Sequence, residues 1–304
     1  MVNFSGRNIV IAESSKNIRL LGRNALSGNW GVAIAAVLVY TLLASVVPAV
    51  LNALFGVNFI DVMGNGNYMN MDAATYSLYY SMMPTVCPIS SVYMLLVDGP
   101  LYLGMSLFFL AMFRRQIVQV SDIFLGFEKF GKAVGLFIFQ GIFIVLWSLL
   151  FIIPGIIAAI RYSQAFFILA DDPEKDIRQC MNESKAMMQG NKMKFFCLMI
   201  SFIGWILLTM IPSTIVVAIG DMLALDGIGS AITSIISGLF IIPVVAYMYS
   251  TRAGFYEILA GHLIKSTEPV PVEELIGEVE TNAAAAGNAD NVNNADSQDN
   301  DSEK

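Results

Sequence analysis

The stretch AVGLFIFQGIFIVLWSLLFIIPGIIAAIRYSQAFFILA, residues 133–170, decides the fold of this chain. Its 38 residues carry a single charge, that of Arg161. As one straight α-helix the stretch would be ~57 Å long, whereas the hydrocarbon core of a bilayer is only ~30 Å thick. Pro154-Gly155 stands near its middle, where a turn or sharp kink is expected. We therefore predict two membrane-crossing helices joined at this corner, with a re-entrant or kinked helix as the alternative.

Further apolar runs lie on both sides of this hairpin. The chain of 304 residues is 56% hydrophobic and 13% charged, whereas soluble domains carry about 25% charged residues. Each uncharged run approaches the ~20 residues that a helix needs to cross a bilayer. We predict an all-α, polytopic transmembrane helical bundle with six spans, in a membrane domain over residues 30–265. The spans are expected at about 31–55, 91–113, 133–153, 155–170, 195–220 and 230–250.

The distribution of Lys and Arg predicts the orientation of the bundle. Six crossings place every segment rich in Lys and Arg on one side of the membrane, and that side is normally cytoplasmic. Both termini are then cytoplasmic. A single crossing by residues 133–170 would instead export a connector with five cations. The cationic segments are 1–29, 114–132, 171–194 and 251–265, and the connectors without Lys or Arg are 56–90 and 221–229.

Segments outside the spans have their own predicted character. The basic segment 1–29 has an amphipathic part and no evident cleavage site, so it is interpreted as a cytoplasmic N-terminal segment. Residues 266–304 contain ten acidic residues, one Lys and no aromatic residue, which is typical of a disordered acidic tail. Residues 173–189 are predicted to form a cytoplasmic interfacial helix. Its mostly apolar face consists of Ile177, Met181, Ser184 and Met188.

Two ionisable residues fall inside predicted spans. Charged side chains in a bilayer are costly and often functional. On the six-span topology Asp98 and Arg161 lie at similar depth, so we predict an intramembrane polar pair. Three interpretations remain open: a gate or substrate contact, a structural ion pair, or an Arg161 that snorkels or lies in a re-entrant segment.

Two helix breaks are also predicted within the spans. Gly99-Pro100 follows Asp98 in the second span, and Pro154-Gly155 interrupts the hairpin. Proline removes a backbone donor, and discontinuous helices in transporters expose backbone groups that coordinate solutes. Kinks at proline inside helical bundles are equally compatible with these residues.

Catalytic and metal-binding signatures are absent from the sequence. No HExxH, GxSxG, P-loop or dinucleotide fingerprint occurs. Three scattered cysteines and a single histidine argue against a disulfide framework or a metal site. We therefore expect no catalytic residue, no cofactor and no bound metal, and we expect that the protein is not an enzyme. Cys87, Cys180, Cys197 and His262 are the residues in question.

Several short motifs together resemble a bacterial integral membrane family, the domain of unknown function 975. The resemblance covers about residues 16–262 and implies a multi-pass protein of the bacterial cell membrane, without assigning an activity. The motifs are GNWG (28–31), Gly99-Pro100 with Gly104, LWSLLFIIPGIIAAIRYSQAFFILADDP (146–173), MQG (188–190), SFIGW (201–205) and Phe255-Tyr256-Glu257.

Two functions fit the sequence. The first is a membrane scaffold or accessory subunit, which is favoured by the missing catalytic motifs and by small residues at four-residue spacing. The alternative is a small-solute transporter or channel that uses the helix breaks and the polar pair. The expected partners are the lipid bilayer and other membrane proteins or a second copy of the chain, and no nucleic acid. The small residues are Gly155, Ala159 and Ser163, and Ser230, Ser234 and Gly238.

A reporter fused after Lys185 tests the predicted topology. The cationic connector that contains Lys185 should stay in the cytosol, so a cytosol-active reporter at this point should be active and an export-dependent one silent. A fusion in the connector 221–229 serves as the control and should give the opposite pattern. Export of the Lys185 fusion would invert the predicted map after the hairpin.

Overall fold

A computed structural model describes residues 9–58, 72–82, 85–223 and 228–263. Six helical stretches among the described residues are long and apolar enough to cross a membrane. The predicted all-α bundle with six spans is therefore confirmed. The predicted acidic tail, 266–304, lies outside the described residues. In chain order, the candidate spans are Trp30–Phe55, Pro88–Phe113, Phe130–Leu150, Ile152–Asp171, Lys192–Met222 and Ile235–Leu259.

Several spans consist of two or more helical segments in succession. The first part of the chain contains α1 (Ser15–Leu26), α2 (Trp30–Thr41), a π-helix (Leu42–Val46), α3 (Val47–Phe55), strand β1 (Val57–Asn58), α4 (Ala73–Met82), strand β2 (Thr85–Val86) and α5 (Pro88–Phe113). A 3-10 helix (Val120–Phe127) follows, and then α6 (Phe130–Leu150), α7 (Ile152–Arg161), α8 (Ala165–Asp171), α9 (Ile177–Met187), α10 (Lys192–Ile200), α11 (Ile203–Met222), α12 (Ile228–Leu239) and α13 (Ile242–Leu259).

The corner of the α6–α7 hairpin lies at Phe151, slightly before the predicted Pro154-Gly155. Phe151 has extended backbone angles, φ −162° and ψ 155°, between the two helices. Pro154 occupies the first turn of α7, where a missing N–H has no helical acceptor to lose. Gly155 packs so closely on Ser148 that a Cβ would overlap the serine side chain. The two residues therefore follow the corner and tighten the hairpin, and they do not form the break.

The break predicted at Gly99-Pro100 is not formed. Residues Pro88–Phe113 make one α-helix, with Pro100 inside it. A Cβ on Gly99 would lie 2.8 Å from the carbonyl oxygen of Ala133 in α6. The glycine therefore serves the close approach of α5 to α6, and the proline is accommodated at the loss of one helical hydrogen bond.

A break that the sequence did not predict lies in the first span. The π-helix Leu42–Val46 ends just before Pro48, in the first turn of α3. Pro48 has no N–H to offer the carbonyl four residues earlier, and its ring crowds that carbonyl. A widened turn relieves this conflict without ending the helical path. Beyond α3, Val57 and Asn58 pair antiparallel with Val86 and Thr85.

The cationic connectors meet at one end of the bundle. Lys129 forms an ion pair with Glu174 at 3.1 Å. Beside it, Lys132 donates from Nζ to the carbonyl oxygen of Pro173 at 2.7 Å. The connector after α5 therefore touches the connector after α8, as expected if α6, α7 and α8 form a hairpin that returns to its starting side.

The N-terminal segment is tied to the same end by Asn191. The Asn191 side chain accepts from the backbone N–H of Ile11 at 2.9 Å and donates to the carbonyl oxygen of Ile9 at 2.7 Å. Asn191 is fully buried. Its neighbour Gly190 adopts φ +79°, a conformation that L side chains rarely adopt, and lies next to Val10. One side-chain amide thus satisfies two backbone groups of the segment before α1.

Helix α1 lies along α13, the last helix among the described residues. The Ser250 hydroxyl donates to the carbonyl oxygen of Gly22 at 2.8 Å, and the Tyr247 hydroxyl donates to that of Arg19 at 3.1 Å. A Cβ on Gly22 would lie 2.8 Å from the backbone of Thr251. The glycine is therefore required for this close helix contact.

Burial is unequal along the helices. In α5 the first turns expose Ile89 and Val92, whereas the residues from Gly99 to Leu101 and most residues beyond them are buried. Every residue from Ala165 to Ala170 in α8 is buried. At the end that carries the cationic connectors, the bundle is therefore enclosed by its own helices, while its other end exposes apolar side chains.

Substitution of Gly104 by alanine should destabilise the bundle. The 3-10 helix lies directly on α5 here, and a Cβ on Gly104 would overlap the carbonyl oxygen of Ile123. Because backbone atoms must move, we expect a loss of about 1–3 kcal/mol, the usual cost of overpacking. Thermal unfolding of the purified protein in detergent measures it. Gly141→Ala is the control, since no atom lies within 4 Å of a Cβ at this position of α6; equal melting temperatures would contradict the close packing.

Candidate functional site

The fourth span is interrupted at residues 162–164. Helix α7 ends at Arg161 and α8 begins at Ala165. Backbone groups freed inside a membrane protein need protein partners. The Ser184 hydroxyl, from α9, donates to the carbonyl oxygen of Arg161 at 2.9 Å and accepts from the backbone N–H of Gln164 at 3.2 Å. One serine therefore bridges both sides of the break.

A second partner of the break is Arg252 in α13. Its Nη2 donates to the carbonyl oxygen of Ser163 at 3.3 Å. The guanidinium carbon lies 5.5 Å from the ring centroids of Tyr102 and Tyr249, and 5.7 Å from that of Phe167. These distances are within the range of cation–π attraction. The guanidinium is thus held in the bundle by aromatic faces and a freed carbonyl.

Aromatic packing extends outward from Arg252. Tyr249 stacks on Phe109 with 5.4 Å between ring centroids, and Tyr102 meets Phe166 edge-on at 4.8 Å. Tyr40 of α2 also contacts Tyr249, at 6.2 Å. Rings from α2, α5, α8 and α13 therefore fill the space around the arginine.

A second polar cluster lies where α5, α8 and α13 reach the cationic connectors. Arg114 binds Asp171 at 2.6 Å and Glu257 at 2.7 Å, and the Tyr256 hydroxyl donates to Asp171 at 2.9 Å. Burial disfavours the charge of Arg114, but hydrogen bonding to Asp171 and the charge of Glu257 outweigh this effect and raise the pKa of the guanidinium. The cluster joins three helices through charge-assisted hydrogen bonds.

The predicted pair of Asp98 and Arg161 is not brought together. Within the part of the chain that the structure describes, Asp98 Oδ1 and Arg161 Nε are buried and have no hydrogen-bond partner. No ion pair joins the two residues in that part. The interpretation as a structural ion pair requires a direct contact between Asp98 and Arg161, and the described part of the chain has no such contact.

Helix register explains the separation. Gly99, the neighbour of Asp98, would bring a Cβ within 3.1 Å of Phe137 in α6. In the hairpin, the ring of Tyr162 meets that of Phe143 with 6.0 Å between centroids. Phe137 and Phe143 are six residues apart in α6, which corresponds to about 9 Å along the helix axis at ~1.5 Å per residue. Counting residues along the spans gave Asp98 and Arg161 similar depths in the membrane. The packing of their helices against α6 places the two residues at different depths.

The residue that sequence reasoning missed is Arg252. The sixth span was expected to end at residue 250, with 251–265 as a cytoplasmic segment, but α13 continues to Leu259. The spacing of two tyrosines could have indicated the longer helix. Tyr249 and Tyr256 lie three residues before and four residues after Arg252, on one face of a continuous helix. Rings and a freed carbonyl contact the guanidinium, so a cation here does not end the helix.

Cysteine and metal chemistry find little support in this region. Burial raises the pKa of the Cys180 thiol to about 11, so the thiol stays protonated at neutral pH and is a poor nucleophile. Among residues 9–58, 72–82, 85–223 and 228–263, no group of three or more His, Cys, Asp or Glu side chains is arranged to hold a metal ion.

Residues 149–262 match the family model described as "Protein of unknown function (DUF975)". The match contains the break at 162–164, its partners Ser184 and Arg252, and the acidic residues of the Arg114 cluster. It confirms the family resemblance over these residues. No curated protein and no solved structure matches the chain.

Substitution of Ser184 by alanine should destabilise the protein. It leaves a buried carbonyl and a buried N–H at the break without their bridging hydroxyl, for which we expect a cost of about 1–3 kcal/mol. Thermal unfolding in detergent is the measurement. Thr214→Ala is the matched control, because the Thr214 hydroxyl bonds only to carbonyls of its own helix, α11. Similar melting temperatures for the two variants would show that the bridge does not stabilise the break.

Proposed function

We propose that this integral membrane protein is a non-enzymatic scaffold or accessory subunit that acts by association with other membrane proteins or with a second copy of itself. The observation that carries the proposal is the environment of Arg252. Its guanidinium contacts three aromatic rings and the carbonyl oxygen of Ser163. The half-buried cation of Arg252 thus links α13 to the break and to three aromatic rings, which supports a structural role for it.

The lipid-facing surface supplies a place for association. A groove of about 410 Å³ lies between α5 and α6, and its lining is almost entirely apolar. Gly141 leaves open space in its wall, since no atom lies within 4 Å of a Cβ there. Small residues let helices of different chains approach closely in a bilayer. The lining residues are Leu95, Phe137, Ile138, Gly141, Ile142, Val145, Leu146 and Leu149.

The proposed orientation has both termini in the cytosol of a bacterium, with the bundle in the cell membrane. Two features support it. Contacts of Lys129 with Glu174 and of Lys132 with Pro173 place two cationic connectors at the same end of the bundle, and cation-rich loops are normally cytoplasmic. The resemblance to a bacterial family supports the choice of membrane.

A small-solute transporter or channel is the second candidate, and Asp98 is the observation that favours it. Its Oδ1 is buried without a hydrogen-bond partner, and intramembrane carboxylates often mark ion pathways. The discontinuity at 162–164 gives weaker support, because Ser184 and Arg252 already bind the backbone groups that it frees.

Affinity purification of the full chain from native membranes in mild detergent tests the scaffold proposal. We expect a polypeptide partner or a defined homo-oligomer at a fixed ratio to the chain. Gly141→Leu should fill the groove and lower the recovered partner at least about tenfold, which corresponds to ~1.4 kcal/mol of lost association energy. Gly204→Leu is the matched control, since this glycine of α11 also has no atom within 4 Å of a Cβ.

One combination of results would contradict the scaffold proposal. A monomer that recovers no partner, and that conducts a solute in proteoliposomes, would overturn the scaffold proposal. If Asp98→Asn then abolished the flux without lowering the melting temperature, the transporter would be the better assignment.

A further inference from the structure

The 3-10 helix Val120–Phe127 lies beside α5 and not beyond its end. A Cβ on Gly126 would overlap the carbonyl oxygen of Pro100 and crowd the backbone nitrogen of Gly104, both in α5. Gly104 precedes the end of α5 at Phe113 by nine residues, which corresponds to about 14 Å along the helix axis. The chain that leaves α5 therefore turns back and runs alongside it before α6 begins.

The inner side of the 3-10 helix packs on helices that belong to candidate spans. It contacts α2, α5 and α6, which are parts of the first, second and third candidate spans. Ile123 and Gly126 are buried on this side. The middle of the connector between α5 and α6 is therefore built into the wall of the bundle.

The outer side of the 3-10 helix is apolar and open. Phe124 and Leu125 are 47% and 44% exposed. The ring of Phe127 lies 6.3 Å from that of Phe124 and 6.5 Å from that of Phe130, measured between centroids. Phe130 is the first residue of α6 and is also exposed. The apolar surface of the third candidate span thus continues through these rings onto the 3-10 helix.

Charge is confined to the edges of this surface. Residues 116–128 contain no Lys or Arg, whereas Arg115 precedes them and Lys129 follows them, and both cations are exposed. Cations that flank an apolar segment are typical of contact with lipid headgroups. The backbone N–H of Gln119 donates to the Asp122 carboxylate at 2.8 Å, and the Gln119 side chain accepts from the N–H of Asp122. These backbone donors therefore do not depend on water.

Burial along α5 locates the 3-10 helix at a boundary. Val92, Leu95 and Leu96 are exposed, whereas Gly99 and Pro100 are buried. The 3-10 helix begins to cover α5 at this point, where the exposed part of the bundle meets the enclosed part. An amphipathic element at such a boundary can bury its apolar side between headgroups and acyl chains.

We propose that the 3-10 helix is an interfacial membrane anchor, with Phe124 and Leu125 inserted among the acyl chains of the leaflet on the side of the cationic connectors. Lipid of that leaflet, and no protein chain, covers this surface. The sequence predicted the whole connector 114–132 as cytoplasmic; its cationic ends stay at the headgroups, and its centre enters the bilayer. The anchor is independent of the scaffold proposal, whose groove lies between α5 and α6.

Photocrosslinking of the full chain in native membranes tests the anchor. With the photoreactive analogue p-benzoylphenylalanine in place of Phe124, we expect adducts that carry the added mass of a phospholipid. The same analogue in place of Gln116 is the matched control, because Gln116 is exposed in the same connector and its N–H bonds to Ala111, near the far end of α5. The lipid adduct at position 124 should be at least about tenfold more abundant, since burial of a large apolar side chain is favoured by more than this factor.

The analogue in place of Leu125 keeps the test decisive if the variant at position 124 does not reach the membrane, and it should give the same lipid adducts. Equal adduct yields at positions 116, 124 and 125, or no lipid adduct at 124 and 125, would overturn the anchor. A crosslink from position 124 or 125 to another polypeptide would also overturn it, because a protein would then cover this surface. That last result would leave the scaffold proposal standing, so the two proposals fail separately.

Discussion

Backbone groups inside a bilayer need partners from the protein itself, and this constraint organises the bundle around the break between α7 and α8. The break at 162–164 is possible because Ser184 binds both of its sides and Arg252 binds the carbonyl of Ser163. These partners come from a connector helix and from the last span, so the break is held by two distant parts of the chain. Arg252 in turn is held among aromatic rings, whose faces attract its cation.

Long-range patterns in the sequence were sufficient for the architecture. Uncharged runs and the alternation of cationic and cation-free connectors predicted six helices that can cross a membrane, because these patterns reflect the thickness and the electrostatics of a bilayer. Local features were less reliable. Proline was expected to break helices at Gly99-Pro100 and Pro154-Gly155, yet α5 is continuous through the first of these, and the hairpin stretch is interrupted at Phe151 and at 162–164. The second of these depends on a serine and an arginine far along the chain, and no local residue pattern reveals such partners.

The unequal burial divides the molecule into two layers, one that exposes apolar side chains and one that is enclosed by the protein itself. Apolar side chains such as Ile89 and Ile153 are exposed in one layer, where lipid is the natural neighbour. In the other layer α8 and the second half of α5 are enclosed by protein, and the cluster of Arg114, Asp171 and Glu257 joins their ends. The same reasoning accounts for a cation at position 252, which a protein-covered layer tolerates better than hydrocarbon does.

The contact between α1 and α13 has a consequence for biosynthesis. Helix α1 is made long before α13, against which it packs, and Asn191, which binds the segment before α1, is also made later than α1. Ile18 and Leu26, both fully buried in the finished fold, therefore lack part of their final surroundings until α13 is made. A nascent amphipathic helix in this situation can shelter its apolar stripe against the membrane surface until α13 is inserted. The contact between α1 and α13 thus forms only after α13 has been made, so a chain that stops before α13 leaves the apolar side of α1 without its final partner.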